Sequence, residues 1–361
     1  MAAITFKCPN CGGGLVFNPE TQQYKCEFCL SQFGLKELKE WEAGLKAQDD
    51  KERKGQGEGQ EGVGLGEKEE SRAVVYHCPS CGAEIVTDET TAASFCYYCH
   101  NPVVLEGRLD GRFSPDYVVP FAIDRKKAEE IFRQWIRGKR YVPAGFYSEQ
   151  QIASMTGVYF PYWLYRCNVE GKMEAEGMKL RVWDAGNLRY TEKKTYHISR
   201  SGQMPVKDVA RNALKKANAK LSAGVLPFTP DGLQPFHIGY LTGFQAEKRD
   251  MEKEQIKEAV EREVKDLAVS NLKGSASGYS GLRVQQLTAQ IRDASWHYGL
   301  FPVWTLTYKS PRNGKIYYFA LNGQTGKVCG ELPVDGKKLL FLFLSVFSPL
   351  MALLLVLGYM I

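Results

Sequence analysis

The sequence predicts two small cysteine-rich modules, an α+β domain with an antiparallel meander sheet, and one C-terminal membrane-spanning helix. Three observations predict this architecture: a duplicated cysteine spacing, mixed helical and strand-like patterns in residues 106–335, and an uncharged apolar run in residues 339–361. The 361 residues are 44% hydrophobic and 24% charged, which is typical of globular chains. This composition excludes a disordered polypeptide and a protein with many membrane spans.

The spacing C-x2-C-x14-C-x2-C occurs twice. Four thiolates at this spacing close a tetrahedral zinc shell, and closing it within one copy needs a much shorter loop than closing it between copies. We therefore expect two zinc ribbons, residues 1–34 and 73–105, each holding one structural Zn²⁺ with no open position. The expected ligands are Cys8, Cys11, Cys26 and Cys29 in the first ribbon, and Cys78, Cys81, Cys96 and Cys99 in the second.

Iron and disulfide bonds are the alternatives for these cysteines. A closed set of four thiolates in a reducing compartment favours zinc over both. His77 and His100 flank the cysteine pairs, but a full shell of sulfurs leaves them as surface groups. Cys167 and Cys329 lie outside the two motifs and are expected to be small core residues.

The segment between the ribbons has two parts with different residue patterns. Apolar residues at helical spacing predict a short amphipathic helix over residues 35–48. Residues 49–72 are rich in glycine and charge, which predicts a flexible linker. On this basis the two ribbons are expected to move independently.

Residues 106–335 show the patterns of a single α+β domain. The predicted elements, in chain order, are a helix capped by Asp124, a strand over 158–167, two strands over 178–199 around a turn at 184–187, a helix from Pro205 to Leu221, a helix over 251–272, and a hairpin at Asn313-Gly314.

Residues 339–361 contain no charged side chain in 23 positions. As a helix this run would be about 35 Å long and would cover a hydrocarbon core of about 30 Å. The alternative is a buried terminal helix of a soluble fold, which is disfavoured because such helices keep a polar stripe. Lys337 and Lys338 precede the run, so we expect a single-pass tail anchor in the cell membrane with a cytoplasmic N-terminal region.

Positive charge concentrates in one stretch: residues 193–220 hold eight bases against Asp208, a net charge of +7, whereas the whole chain carries +6. On the helix predicted from Pro205 the bases would lie opposite the apolar face. A solvated face, a contact with anionic lipid and a contact with nucleic acid all remain open, and the membrane anchor favours lipid or an acidic partner over nucleic acid. The bases are Lys193, Lys194, Arg200, Lys207, Arg211, Lys215, Lys216 and Lys220.

The nucleotide-binding and hydrolase motifs that would indicate an enzyme are missing from the sequence. The string from Asn322 to Lys327 resembles part of a phosphate-binding loop, but such a loop requires glycine where Leu321 stands and Ser or Thr where Val328 stands. Neither H-E-x-x-H nor G-x-S-x-G occurs. We therefore expect a protein that is not an enzyme.

Several segments together resemble a known family. Two CPxCG ribbons are followed by YFPYWLY, by LPFTPDGLQPFHIGYLTGFQAEKRD, by FPVWTLTYKSPRNGKIYYFALNGQTGKVCGELP and by the apolar C-terminal run. This order resembles the YdjG-like, membrane-anchored TFIIB-type zinc-ribbon proteins of Gram-positive bacteria, which are often mislabelled as primosomal helicase. Leu30 and His100 stand where the family usually has glycine.

The resemblance implies a non-enzymatic membrane protein that works with envelope-stress machinery of the phage-shock type, and it carries over only the eight cysteines as zinc ligands. Together with the closed sites and the anchor, it predicts a membrane-tethered adaptor that recruits cytosolic protein partners. The alternative is a nucleic-acid-binding zinc-ribbon protein with a role in replication or transcription.

Overall fold

The structure is a computed structural model that describes residues 3–4, 7–41, 74–78, 84–87, 90–96, 102–105, 109, 113–215, 217 and 219–360. Among the sequence predictions, those on the linker over 49–72, the second half of the helix over 35–48, Cys81, Cys99, His100 and Lys216 lie outside these residues.

Most elements of the chain are strands, and the helices are interspersed among runs of strands. The N-terminal part contains β1 (Ala3–Ile4), β2 (Leu15–Asn18), β3 (Gln23–Cys26), β4 (Gln32–Phe33), α1 (35–41), β5 (Val74–His77), β6 (Glu84–Thr87), β7 (Thr91–Phe95) and β8 (Pro102–Leu105). The rest contains β9 (Tyr117–Val118), α2 (Arg125–Ile136), α3 (Glu149–Ile152), β10 (Thr156–Ala185), β11 (Leu188–Asn212), α4 (Ala219–Gly224), β12 (Gln234–Pro235), β13 (Gln245–Glu247), α5 (Glu254–Gly274), β14 (Gly281–Lys309), β15 (Ile316–Asn322), β16 (Val328–Gly330) and α6 (Gly336–Met360).

Three very long strands dominate the main sheet. β10 has 30 residues and lies between β11 and β14, both antiparallel to it. At about 3.3 Å per residue, a strand of this length extends over about 100 Å. The turn between β10 and β11 falls at Gly186-Asn187, where Gly186 adopts a positive φ of 62° that suits a tight hairpin. The predicted pair of strands around this turn is confirmed.

The far half of this sheet projects from the core as an arm, residues 167–206 and 281–292. Helix α5 covers one face of the arm, where Val260, Val264 and Ala268 pack against Cys167 and Val169. The pairing of β14 with β10 stops at Gly281 opposite Met178. Beyond that point residues 179–194, the arm tip, form a two-stranded ribbon.

The near half of the sheet carries the main core. Asp124 caps α2, because its carboxylate accepts the Lys127 N–H at 2.8 Å, as predicted. Phe132 of α2 meets the Phe319 ring edge-on at 4.8 Å, and the Trp304 indole N–H donates to the Ile123 carbonyl at 2.9 Å. The hairpin at Asn313-Gly314 joins β14 to β15, also as predicted.

The helix predicted from Pro205 to Leu221 is wrong over most of its length, because residues up to Asn212 belong to strand β11. The error has a local cause at Asp208, which has a positive φ of 54°. There the register moves from Val206 opposite Cys167 to Val209 opposite Tyr165, so β11 uses three residues where β10 uses two. This β-bulge places Val206 and Val209 on the same face at a spacing of three, which imitates a helix.

Both cysteine-rich segments are joined to the sheet, contrary to the expectation of two independently moving units. In the first, Phe17 N–H donates to the Thr242 carbonyl at 3.1 Å, and the Phe17 ring meets Tyr240 at 5.3 Å. In the second, β7 pairs with β13 and β8 pairs with β1. The pairings of β1, β7 and β8 bring the sheet to 11 strands, whereas β2, β3 and β4 form a separate three-stranded sheet and β5 and β6 a two-stranded one.

The C-terminal helix α6 is long and apolar enough to cross a membrane. Its segment Gly336–Leu355 has a mean hydropathy of 2.2 and is not buried by the rest of the chain. Hydrogen bonds fix its start: Asp335 N–H donates to the Tyr141 carbonyl, and Lys338 Nζ donates to the Val142 carbonyl, each at 2.7 Å. Pro349 lies inside the helix.

Candidate metal centre

The four cysteines of the first motif meet in one cluster. The Sγ atoms of Cys8 and Cys29 lie 3.5 Å apart, as do those of Cys11 and Cys26. All four Sγ atoms lie within 4.8 Å of one another. Around a tetrahedral zinc ion with Zn–S bonds of about 2.3 Å, sulfurs are separated by about 3.8 Å. The four side chains therefore fit a single tetrahedral metal ion.

Two backbone turns with the same hydrogen-bond pattern deliver the sulfurs. In the first, Gly12 N–H donates to the Cys8 carbonyl at 2.9 Å; in the second, Leu30 N–H donates to the Cys26 carbonyl at 3.1 Å. The equivalent residues Gly12 and Leu30 both have positive φ, 73° and 61°. Leu30 thus occupies the left-handed conformation that favours glycine, the residue at the equivalent position of the first turn.

The four thiols of the cluster do not ionise equally easily. Hydrogen bonds from Ser31 lower the pKa of Cys29 to about 6. At Cys11 the Gly13 N–H lowers the pKa, but hydrogen bonds with Cys29 and Cys26 outweigh it and raise the pKa to about 12. Thiolates this close repel one another, so one ionises easily and another resists. A dication at the centre would supply the opposite charge that all four need.

One side of the cluster belongs to the core and the other faces solvent. Cys8 and Cys26 are buried, whereas Cys11 and Cys29 are exposed. Next to the exposed pair, Phe28 is 70% exposed and Leu30 is 65% exposed. The Phe28 ring lies against Gly13, where a Cβ atom would approach it to 2.5 Å. The turns therefore present two large apolar side chains to solvent beside the cysteine cluster.

The second motif is only partly described. Cys78 and Cys96 are both buried and share a small apolar cluster with Tyr76, Val103 and Leu105. One cysteine of each expected pair thus lies in the same cluster. His77 is exposed, as expected of a surface group.

The two remaining cysteines differ from each other. Cys167 is buried under α5, and this burial raises the pKa of its thiol. Cys329 is only half-buried, so it is not the core residue that was expected. Its Sγ lies directly against Gly224, where a side chain would clash.

The bases of residues 193–220 were predicted to lie on one face of a helix. This prediction is wrong, because most of them lie along strand β11. Lys193 and Lys194 lie in the arm tip, whereas Lys215 and Lys220 lie after the strand. Within the described residues β11 pairs only with β10, so it is an edge strand. Bases along an edge strand discourage pairing with another chain, which gives this charge a structural role.

Comparisons with known proteins support one part of the resemblance noted in the sequence, the likeness to YdjG. No family model matches the chain, and no solved structure matches it. The chain is 28% identical over 335 residues to a protein of Bacillus subtilis (strain 168) named "Uncharacterized protein YdjG". The match covers 93% of this chain and 92% of the relative. A similarity along nearly the whole length supports a YdjG-like family for this chain.

Proposed function

We propose that this protein is a non-enzymatic, membrane-tethered zinc-ribbon adaptor that recruits cytosolic protein partners to the membrane. In this proposal α6 is a single-pass anchor in the cell membrane, the N-terminal region is cytoplasmic, and the partners belong to an envelope stress response of the phage-shock type. The resemblance to YdjG-like proteins motivates the last point.

Zinc has a structural role in the proposal. Four thiolates would fill the coordination shell at Cys8, Cys11, Cys26 and Cys29, and a filled shell leaves no position for a substrate. A second Zn²⁺ would be held by Cys78, Cys81, Cys96 and Cys99, because that motif has the same spacing. The metal would hold the two turns of the first cluster in fixed positions.

The observation that carries the proposal is the exposure of Phe28 and Leu30 beside the first cysteine cluster. Large apolar side chains on a rigid support lose little conformational entropy on binding, which favours their use as anchor residues in an interface. The opposite side of the cluster is held in the core by Leu15, Phe17 and Tyr24. A partner bound at Phe28 would therefore be fixed relative to the whole sheet.

The membrane part of the proposal rests on α6 and its flank. The apolar segment is long enough to cross a bilayer, and Lys337 and Lys338 precede it. Basic residues at one end of a membrane helix favour the cytoplasmic side for that end. The domain would then stay within reach of both cytosolic proteins and anionic lipid headgroups.

Site-specific photocrosslinking in native membranes tests this proposal. A photoreactive amino acid replaces Phe28 in the full chain, and the control replaces Tyr147, which is also exposed and lines a groove with Lys338 at the start of α6. We expect a discrete protein adduct from position 28 and none from position 147. Adducts with nucleic acid at position 28 would support the nucleic-acid-binding alternative, and the absence of any specific adduct there would contradict recruitment through this surface.

A further inference from the structure

The arm tip is the most apolar exposed surface outside α6 and the first cysteine cluster among the described residues. Leu188 is 63% exposed, Val182 is 55% exposed and Trp183 is 43% exposed. Helix α5 ends at Gly274, and strand β14 pairs with β10 only as far as Met178. Neither element therefore covers the ribbon. A bare two-stranded hairpin gains little stability from such side chains, which suggests that they serve a contact.

The apolar side chains lie on both faces of the ribbon. Trp183 is directly opposite Tyr190, and their rings stack at 5.7 Å on one face. Neighbouring positions alternate between faces, so Val182 and Leu180 lie on the other face. A protein or nucleic acid that binds a ribbon from one side would leave half of these residues in water. A medium that surrounds the ribbon covers them all.

The net charge of the arm tip indicates which kind of medium would surround it. Residues 179–194 contain five basic residues and two acidic ones, Asp184 and Glu192, which gives a net charge of +3. Asp184 pairs with Arg189 at 2.9 Å and Glu192 pairs with Lys194 at 3.0 Å, so both acids are already matched. The excess positive charge therefore lies with the other bases, which are Lys179, Arg181 and Lys193.

The apolar and aromatic residues of the ribbon lie nearer its end than the unpaired bases do. Leu188 comes first, followed by the Asp184–Arg189 ion pair and the stacked Trp183 and Tyr190, and then by Arg181, Lys193 and Lys179. Apolar and aromatic residues suit the boundary between headgroups and acyl chains, with Trp and Tyr enriched there, and bases suit anionic headgroups at about 1 kcal/mol each. Two positively charged tips would repel each other, which disfavours a second copy of this chain as the occupant.

We propose that the arm tip inserts into the surface of an anionic lipid bilayer, at a patch separate from the lipid around α6. The two sites lie at opposite ends of the sheet: Arg312, just beyond the end of β14, lies directly against Gly336 at the start of α6, whereas β14 begins at Gly281 beside the arm tip. The 29 residues of β14 separate these ends. This inference rests on the proposed membrane setting but not on protein recruitment.

Flotation of the full chain tests the inference. The anchor is first embedded in nanodiscs of phosphatidylcholine, and the discs are mixed with vesicles that contain either phosphatidylglycerol with phosphatidylcholine or phosphatidylcholine alone. We expect the wild type to float with the anionic vesicles. The double variant Trp183→Thr/Tyr190→Thr, which keeps good strand formers, is expected to lose binding by about tenfold or more. The matched control Tyr147→Thr/Ile316→Thr removes exposed apolar side chains elsewhere and is expected to bind like the wild type.

Three results would overturn the inference: no flotation of the wild type with anionic vesicles, equal flotation with neutral vesicles, or equal binding by the arm-tip variant and the wild type. Binding to duplex DNA that depends on Trp183 and exceeds binding to vesicles would also overturn it. No partner protein is present in this experiment, so its failure leaves the adaptor proposal intact. If the chain did not enter the nanodiscs, the membrane anchor itself would be contradicted.

Discussion

The side-chain amide nitrogen of Asn322 donates a hydrogen bond to the carbonyl oxygen of Val225 at 2.8 Å. The side-chain Oδ1 of Asn322 accepts hydrogen bonds from the backbone N–H groups of Gln324 and Thr325, both at 2.9 Å. Gln324 in turn bonds the backbone of Thr229 through both ends of its amide. Asn322 therefore clasps the turn after β15 to the loop after α4.

This clasp joins two of the segments that carry the family resemblance. Leu226, Phe228 and Thr229 belong to the LPFTPDG stretch, and Asn322 to Lys327 form the NGQTGK stretch. Lys327 Nζ donates to the Leu226 carbonyl, which is a structural role for the lysine. The string that resembles a phosphate-binding loop is thus a turn between β15 and β16.

Replacing Asn322 by Leu should lower the free energy of unfolding by about 2–4 kcal/mol, because the change leaves buried backbone groups without partners. Asn313→Ala is the matched control, since Asn313 also bonds a turn N–H but is exposed, and it should cost less than about 1 kcal/mol. Thermal unfolding of the full chain in detergent measures both. Equal effects of the two substitutions would refute the clasp.

Leu30→Gly should leave the chain equally stable or raise its stability by up to about 1 kcal/mol. Relief of about 1–2 kcal/mol of left-handed backbone strain is partly offset by the greater entropy of glycine in the unfolded chain. Leu30→Ala removes the same side chain but keeps the strain, so it should not stabilise. Unfolding monitored together with zinc release compares the variants, and a destabilising Leu30→Gly would show that the leucine itself is needed for folding.

The zinc content of the purified chain should be two ions per chain, falling to one in Cys11→Ser. Cys11 is the better test position because it is exposed, so its loss removes a ligand without opening the core. Cys329→Ser, outside both motifs, should keep both ions. Acidification should release the metal, because a bound thiolate has a lowered pKa and protons compete for it as the pH falls. Metal analysis across a pH series checks these points; an unchanged content in Cys11→Ser would reject the site.

A chain that ends after Lys338 should leave the membrane fraction. This truncation removes the apolar run but keeps the Lys338 bond to Val142, so the start of α6 stays attached to the domain. Sodium carbonate extraction of membranes from cells expressing each form measures the difference, with the full chain expected in the pellet and the truncated chain in the supernatant. Full-length protein in the supernatant would contradict the anchor.

The sequence predicted those features that depend on neighbouring residues. The Asp124 cap, the turn at Gly186-Asn187 and the approach of the first four cysteines all follow from local spacing. The helix predicted from Pro205 failed because one bulge residue, Asp208, changes which positions share a face. No short pattern distinguishes that bulge from a helical repeat.

The joining of the cysteine-rich segments to the sheet could not be predicted for a different reason. β7 meets β13 through pairing of Ala93 with Ala246, far apart along the chain. Short strands carry little periodicity, and pairing of distant strands is set by the whole core. The sequence did not predict the length of the arm, because strand β14 has two different residue patterns. Its first half, 281–295, is polar, and its second half, 296–309, is apolar.

In the proposed adaptor, Phe28 and Leu30 are held by the first cysteine cluster and recruit proteins to the membrane. The most direct measurement is crosslinked capture of full-length protein from native membranes, with and without nuclease, comparing the wild type with Phe28→Ser/Leu30→Asn. Asparagine tolerates the left-handed position, so the double variant should keep its metal. We expect the wild type to capture a discrete set of nuclease-resistant partners and the double variant to lose them. Partners that vanish with nuclease, or that the double variant retains, would contradict it.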